Sequence, residues 1–328
     1  MAYSEAVLRR AQARLAEARE ENEREARERI EGIYARNPRL REIDAQLRET
    51  AARIMAVSFR RGEDPSEAMA GLRKENLALQ QEREWLLDSG DIDPDDLAVT
   101  PICPSCGGTG YRGAVMCDCL KELCRQEQKK ELSQLLGSGK ESFDRFRLDL
   151  YPAEYDPRLK TSPRELMQFI YNSAVRYAKT FTPASGSLLF SGPTGLGKTF
   201  LSACIARTVA DRGYSVVYDT AGRVFTDFET AKFSLRGEES RKLTKKYLSC
   251  DLLILDDLGT EMTTQFVVSA LYQILNTRLM ESRATIVSTN IPEMELGARY
   301  SPQIASRLLG SFVLYKFAGS DIRMMKNP

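Results

Sequence analysis

SLLFSGPTGLGKTFLSACIARTVA, residues 187–210, decides the fold. An apolar run of strand length, 187–190, enters a loop of the form G-x-x-x-x-G-K-T and leaves it as a helical sequence. Glycines let backbone N–H groups wrap around phosphate oxygens, and the N-terminus of the following helix adds favourable partial charge. The loop residues Gly192, Pro193, Thr194, Gly195, Leu196, Gly197, Lys198, Thr199 and Phe200 are therefore predicted to cradle the triphosphate of ATP. Lys198 would reach the β and γ oxygens, and the Thr199 hydroxyl would ligate magnesium.

Working outward, DLLILDD (251–257) is an apolar strand ending in two acids. Two acids at a strand end can simply form a turn. After a P-loop, the pattern predicts that Asp256 holds the magnesium ion through water and that Asp257 orients or deprotonates the attacking water. A further strand, 284–290, ends in Asn290 at the level of the γ-phosphate. Strand and helix patterns alternate over 187–191, 198–211, 215–218, 252–255 and 284–290, with Gly213 closing the P-loop helix. That alternation predicts an α/β fold: a parallel sheet flanked by helices, with right-handed crossovers and its ligand beyond the strand C-termini.

CPSCGGTGYRGAVMCDC, 103–119, is the second informative stretch. Cys103 and Cys106 have C-x-x-C spacing, and Cys117 with Cys119 forms a second pair after a glycine-rich excursion. The chain has seven cysteines and no histidine, so a structural metal site must be all sulfur, and a closed four-thiolate site leaves no open position for catalysis. Zinc is the predicted ion. An iron–sulfur cluster, with Cys124 as a substitute ligand, is the rival reading. Cys204 and Cys250 are isolated in apolar segments and read as core.

The 328 residues suffice for two or three compact units. With 47 Lys+Arg against 46 Asp+Glu, the net charge of +1 provides no global field toward nucleic acid or anionic membrane, so any DNA contact must be local. No apolar run of ~18 residues and no signal-peptide core is found, which predicts a cytoplasmic protein. Residues 1–36, rich in Ala, Glu and Arg, predict a long solvated helix that Asn37-Pro38 interrupts. Leu40, Ile43, Leu47, Ala51 and Ile54 then share one helical face, Asp64-Pro65-Ser66-Glu67 marks a new helix start, and Leu72, Leu79 and Leu86 carry its seam. The two predict an antiparallel hairpin whose stripes either close on one another in a small bundle or meet a partner protein. The predicted organisation is a helical region at 1–97, a four-cysteine zinc module at 98–136 and an ATPase domain at 137–328.

SGPTGLGKTFLSACIA (191–206), LLILDDLG (252–259) and IVSTN (286–290), followed by SRLLG (306–310) and GSDIR (319–323), resemble bacterial replicative helicase loaders of the DnaC/DnaI type. These belong to the AAA+ class, which also includes the IstB transposition ATPases, and the resemblance covers about residues 140–328. It implies that Asn290 is a sensor polar group beside the attacking water. It further implies that Arg307 reaches the ATP of a neighbouring subunit as an arginine finger, and that Arg323 is a second nucleotide sensor. Phe143 to Leu148 falls where the family has an aromatic segment near the adenine; packing against the sheet is the other reading. The basic stretch at Lys232, Arg236, Arg241, Lys242, Lys245 and Lys246 falls where the loaders face single-stranded DNA; a solvated helix face is its alternative. Two departures stand out. Asp257 occupies a position that is Glu in many AAA+ proteins, implying slow hydrolysis, and the short sequence after Arg323 implies a minimal lid.

The expected function is thus an ATPase that binds the replicative hexameric DNA helicase and helps deliver it onto single-stranded DNA, self-assembling through ATP-bridged interfaces. An IstB-like ATPase that assists a transposase is the near alternative. From a different class come a P-loop small-molecule kinase and an adaptor that binds ATP without cleaving it.

Overall fold

The computed structural model describes residues 3–58, 66–135, 141–233 and 237–322. Two compact units emerge, Ala13–Cys117 and Met1–Gln12 with Asp118–Pro328.

In the smaller unit, α1 (Glu5–Arg36, from Ala13 onward) is followed at once by α2 (Pro38–Ser58) and then α3 (Ser66–Ser89). Pro38 opens α2, where its missing N–H costs nothing. Leu40 and Ile43 are fully buried, and Tyr34, Leu40 and Leu87 form a small core with Ile30, Ile33, Leu86, Ile92 and Leu97 around it. The seam departs from expectation at two places. Thr50 is buried and Ala51 exposed, because steps of three and four from Leu40 through Ile43 and Leu47 arrive at 50. Asn76 satisfies the Thr50 hydroxyl, donating from Nδ2 at 2.9 Å. Leu87 is buried more deeply than Leu86. Asp64 and Pro65 of the expected helix start, and the side chain of Ile54, lie outside the described residues. A short hairpin, β1 (Tyr111–Arg112) with β2 (Val115–Met116), turns at Gly113 and ends the unit.

The larger unit contains α4 (Asp118–Leu135), α5 (Pro163–Thr180), β3 (Ser187–Ser191), α6 (Lys198–Asp211), β4 (Val216–Thr220), α7 (Ala221–Phe233) and α8 (Gly237–Ser249). It continues with β5 (Leu252–Leu258), α9 (Gln265–Met280), β6 (Ala284–Thr289), α10 (Leu296–Arg299), α11 (Pro302–Ser311) and β7 (Phe312–Lys316). Among the described residues these strands form a five-stranded sheet in the order β4-β5-β6-β3-β7, parallel throughout. The strand before the P-loop is thus flanked by β6 and β7, and β6 separates it from the Asp256 strand.

Period-two alternation sorts the strand residues onto two cores. Leu188, Phe190, Val216, Tyr218, Leu252, Ile254 and Ile286 pack with α5 and α6 on one face. Leu189, Leu253, Leu255, Val287 and Phe312 pack with α7, α9 and α11 on the other. Both faces are covered, which is why these strands read as continuous apolar runs. Each such fully buried side chain contributes about 1.5–3 kcal/mol. The fifth strand, β7, was absent from the sequence expectation. Its burial pattern is irregular, as befits an edge strand of five residues.

The opposite edge, β4, is closed by a side chain. Gln128 of α4, itself buried, donates from Nε2 to Tyr214 O and accepts from Val216 N through Oε1, both at 2.9 Å. The amide thereby occupies the ladder positions of a missing strand and blunts an edge that would otherwise present unpaired groups. Gln128→Ala leaves these backbone groups unpaired at a cost of about 1–3 kcal/mol. Thermal unfolding of the variant should show a midpoint lower by roughly 2–10 °C; an unchanged midpoint would contradict this role.

Candidate nucleotide and metal sites

The loop between β3 and α6 has a backbone that only glycine adopts easily. Gly192, Gly195 and Gly197 have φ of 143°, 77° and 86°. A Cβ at Gly192 would lie 2.4 Å from Phe317 O, and one at Gly195 would lie 1.8 Å from an Asp321 carboxylate oxygen. Gly197 precedes α6 with no side-chain cap, leaving the first N–H groups of a fourteen-residue helix for a ligand. A triphosphate fits this donor set. Tyr151 donates from its hydroxyl to Leu196 O at 2.9 Å, pinning the loop. Lys198 Nζ donates to Gly192 O at 2.6 Å and Pro193 O at 2.7 Å.

A cavity of about 520 Å³ opens above the loop. Thr194 to Phe200 line it from below, and Asp256, Asp257 and Asn290 from the strand ends. Gly192 and Pro193 hold Lys198 from outside that lining. Phe146 stands at the margin, stacked with Tyr171 at a centroid distance of 5.4 Å and tilted against Phe200 at 5.9 Å. Phe143 meets Tyr171 edge-on at 5.9 Å. A larger cavity, about 770 Å³, lies along α6 beside Phe143, Tyr171 and Cys204, without the strand-end acids.

Two consecutive acids serve one cavity because β5 is irregular. Asp256 follows Leu252 and Ile254 on the face toward α6, so strict alternation would send Asp257 to the other side. The pairing with β6 shifts between Leu255 and Leu258, and Asp257 has φ 54°. The bulge turns Asp257 out into the cavity, where it is exposed, while Asp256 remains buried.

Two residues missed in the sequence support Asp256. The Tyr218 hydroxyl donates to Asp256 Oδ2 at 2.5 Å, and the Ser288 hydroxyl donates to Oδ1. Burial, and then the Asp256 charge, push the Tyr218 phenol far above its ordinary range, so it stays a donor. Asp257 N donates to Ser288 Oγ at 3.0 Å. No sequence motif marks Tyr218; strand register does, since Thr220 pairs with Asp256 and places Tyr218 one same-face step behind it.

Arg307 does not line the cavity. It extends from α11 along α9, donating from Nη2 to Tyr272 OH and Asn276 Oδ1, each at 2.8 Å, with its guanidinium 4.4 Å from the Tyr272 ring centre. Arg323 lies outside the described residues, as do Arg236 and the side chains of Arg241 and Lys242. Lys246 is engaged by Asp227 at 3.1 Å, and Tyr247 is buried with its hydroxyl between Asp227 and Asp219, which removes that ring from any stacking surface. Phe233 remains exposed, beside Lys232.

The thiols of Cys103, Cys106, Cys117 and Cys119 lie within 4.8 Å of one another, and none of the seven cysteines is in a disulfide. Gly107, Gly108 and Gly110, all at positive φ, fold the chain back, and Gly110 N donates to Cys106 Sγ at 3.3 Å. Cys103 and Cys117 sulfurs are 3.8 Å apart. Four sulfurs ~2.3 Å from a central ion have tetrahedral edges of roughly 3.8 Å, so the spacing fits a closed site. Cys124 stands apart in α4, where burial and then Glu127 push its thiol up to about 11.

A parallel sheet, a glycine loop before α6 and acids at a strand end meet at one cavity. Residues 175–312 match the family described as "IstB-like ATP binding protein". The replicative helicase loader DnaC of Buchnera aphidicola subsp. Acyrthosiphon pisum is 22% identical over 206 residues, 62% of this chain and 80% of that relative. The Escherichia coli K12 loader DnaC is 26% identical over 137 residues, 42% of this chain and 56% of that relative. Among solved structures, one titled as the crystal structure of the DnaI covers 60% of this chain and 100% of that one, with 21% identity and a TM-score of 0.45. No helix among the described residues is long and apolar enough to cross a membrane.

Elemental analysis of the purified chain is expected to find about one metal ion per chain, with Cys106→Ser losing it. Full metal content in that variant would remove the cluster from consideration.

Proposed function

We propose that this protein is an ATP-driven loader that binds a replicative hexameric DNA helicase and helps place it on single-stranded DNA. One observation carries this reading: Lys198, Thr199, Asp256, Asp257 and Asn290 surround a single cavity in a module whose named relatives are replicative helicase loaders.

In this reading Lys198 exchanges the Gly192 and Pro193 carbonyls for the β and γ oxygens of ATP. Magnesium, when bound, neutralises charge on the phosphates. Thr199 and Asp256 are the residues that would hold it. Asp257 orients the attacking water and accepts its proton, and Asn290 holds that water in line. Arg307, outside its own cavity, acts on the nucleotide of a neighbouring copy, with Tyr272 and Asn276 holding its guanidinium. ATP-bridged copies then assemble, and hydrolysis releases them. Arg323 is proposed as the second nucleotide sensor.

We further propose zinc as the ion of the four thiols, with 98–136 as a docking module, 1–97 as the helical region that contacts the helicase, 137–328 as the ATPase domain, and the cytoplasm as the compartment. A region with little apolar sequence gains stability from the metal.

Native mass spectrometry of the chain mixed with its host's replicative helicase is expected to show an ATP-dependent complex. Lys198→Ala should lose nucleotide affinity and, with it, the ATP dependence; no complex in either condition would refute the loader reading. Asp257→Asn is expected to bind ATP as wild type does and to hydrolyse it ~10²-fold or more slowly in phosphate-release assays. Unchanged turnover would exclude Asp257 as the base.

A further inference from the structure

Asp256 sits at a row of three side chains on one sheet face. Tyr218 of β4, Asp256 of β5 and Ser288 of β6 all lie on the side of Leu252 and Ile254, facing α6. Tyr218 pairs with Ile254 and Thr220 pairs with Asp256, so Tyr218 is the diagonal neighbour of Asp256, at a separation only a long side chain spans. Its ring is held in the core while its hydroxyl reaches the cavity wall. The carboxylate thus has one hydroxyl on each oxygen. An ionised carboxylate offers about four lone-pair directions, so two remain for other donors.

We infer that Tyr218 is a positioning residue for the metal-holding carboxylate: its hydroxyl, opposed by that of Ser288, fixes the rotation of Asp256 so that the remaining lone pairs face the cavity. This rests on the reading of Asp256 as the group that holds magnesium through water. A carboxylate free to rotate about its terminal torsion would spend much of its time with those lone pairs misdirected. Partners that orient a metal-holding group are typically worth ~10-fold to ~100-fold in metal affinity or activity.

Tyr218→Phe removes the hydroxyl and keeps the ring in the core, so the fold should survive. The measurement is ATP turnover against magnesium concentration, with nucleotide affinity measured separately in EDTA. Half-activation should require ~10-fold to ~100-fold more magnesium, excess magnesium should restore much of the rate, and affinity in EDTA should be unchanged. Ser288→Ala removes the opposing hydroxyl and should shift the same curve in the same direction, while Ser288→Thr should retain the wild-type curve. A Tyr218→Phe protein with the wild-type magnesium curve overturns the inference. Asp256→Asn separates the two levels: if it shifts the curve and Tyr218→Phe does not, only the role of Tyr218 fails. If Asp256→Asn also titrates like wild type, the metal assignment itself fails.

Discussion

Three glycines between β3 and α6 carry the constraint on which the larger unit depends. At Gly192 and Gly195 the backbone runs at positive φ; a methyl group at Gly192 would meet the Phe317 carbonyl, and one at Gly195 would displace the Asp321 carboxylate. The geometry turns the chain from β3, an inner strand of the sheet, into a helix without a side-chain cap, leaving backbone donors for a polyanion. The surrounding structure holds the turn in place: Tyr151 binds Leu196 O, Ile322 N donates to Gly195 O, and Lys198 bridges two loop carbonyls. Glycine loses more freedom on folding than other residues, so a loop built from it needs such ties to remain ordered.

The sheet supplies the other half of the site by alternation and by one interruption of it. Regular pleating puts Tyr218, Asp256 and Ser288 on the α6 face, and the bulge after Leu255 brings Asp257 round beside them. Burying a carboxylate is unfavourable unless its oxygens are satisfied, and the two hydroxyls offset that cost at Asp256. Asp257, turned out by the bulge, is exposed to the cavity. One strand end therefore offers two carboxylates in unlike surroundings, one buried and one exposed.

The P-loop, the acids after LLIL, Asn290 and the clustered cysteines were legible because each motif is short and its chemistry depends on local spacing. Tyr218, Ser288 and Gln128 were not: a tyrosine in VVYDT, a serine in IVSTN and a glutamine in α4 acquire meaning only from strand register and from what covers an edge. The hairpin seam was readable to within one residue, failing where Thr50 rather than Ala51 turned inward with Asn76 as partner. The aromatic stretch at 143–148 had two readings, and its rings pack on Tyr171, Tyr151 and Phe200, the last of which lines the cavity above the glycine loop. Tyr247, next to the basic stretch, is committed to the interior by two aspartates.

The most direct test of the account is an experimental structure with magnesium and a nonhydrolysable ATP analogue. The account predicts the β and γ phosphates within reach of Lys198 and the N–H groups of 195–199, the ion between Thr199 and Asp256, and Asn290 beside the γ-phosphate. Nucleotide bound instead in the larger cavity beside Phe143 and Cys204, with the glycine turn empty, would contradict it.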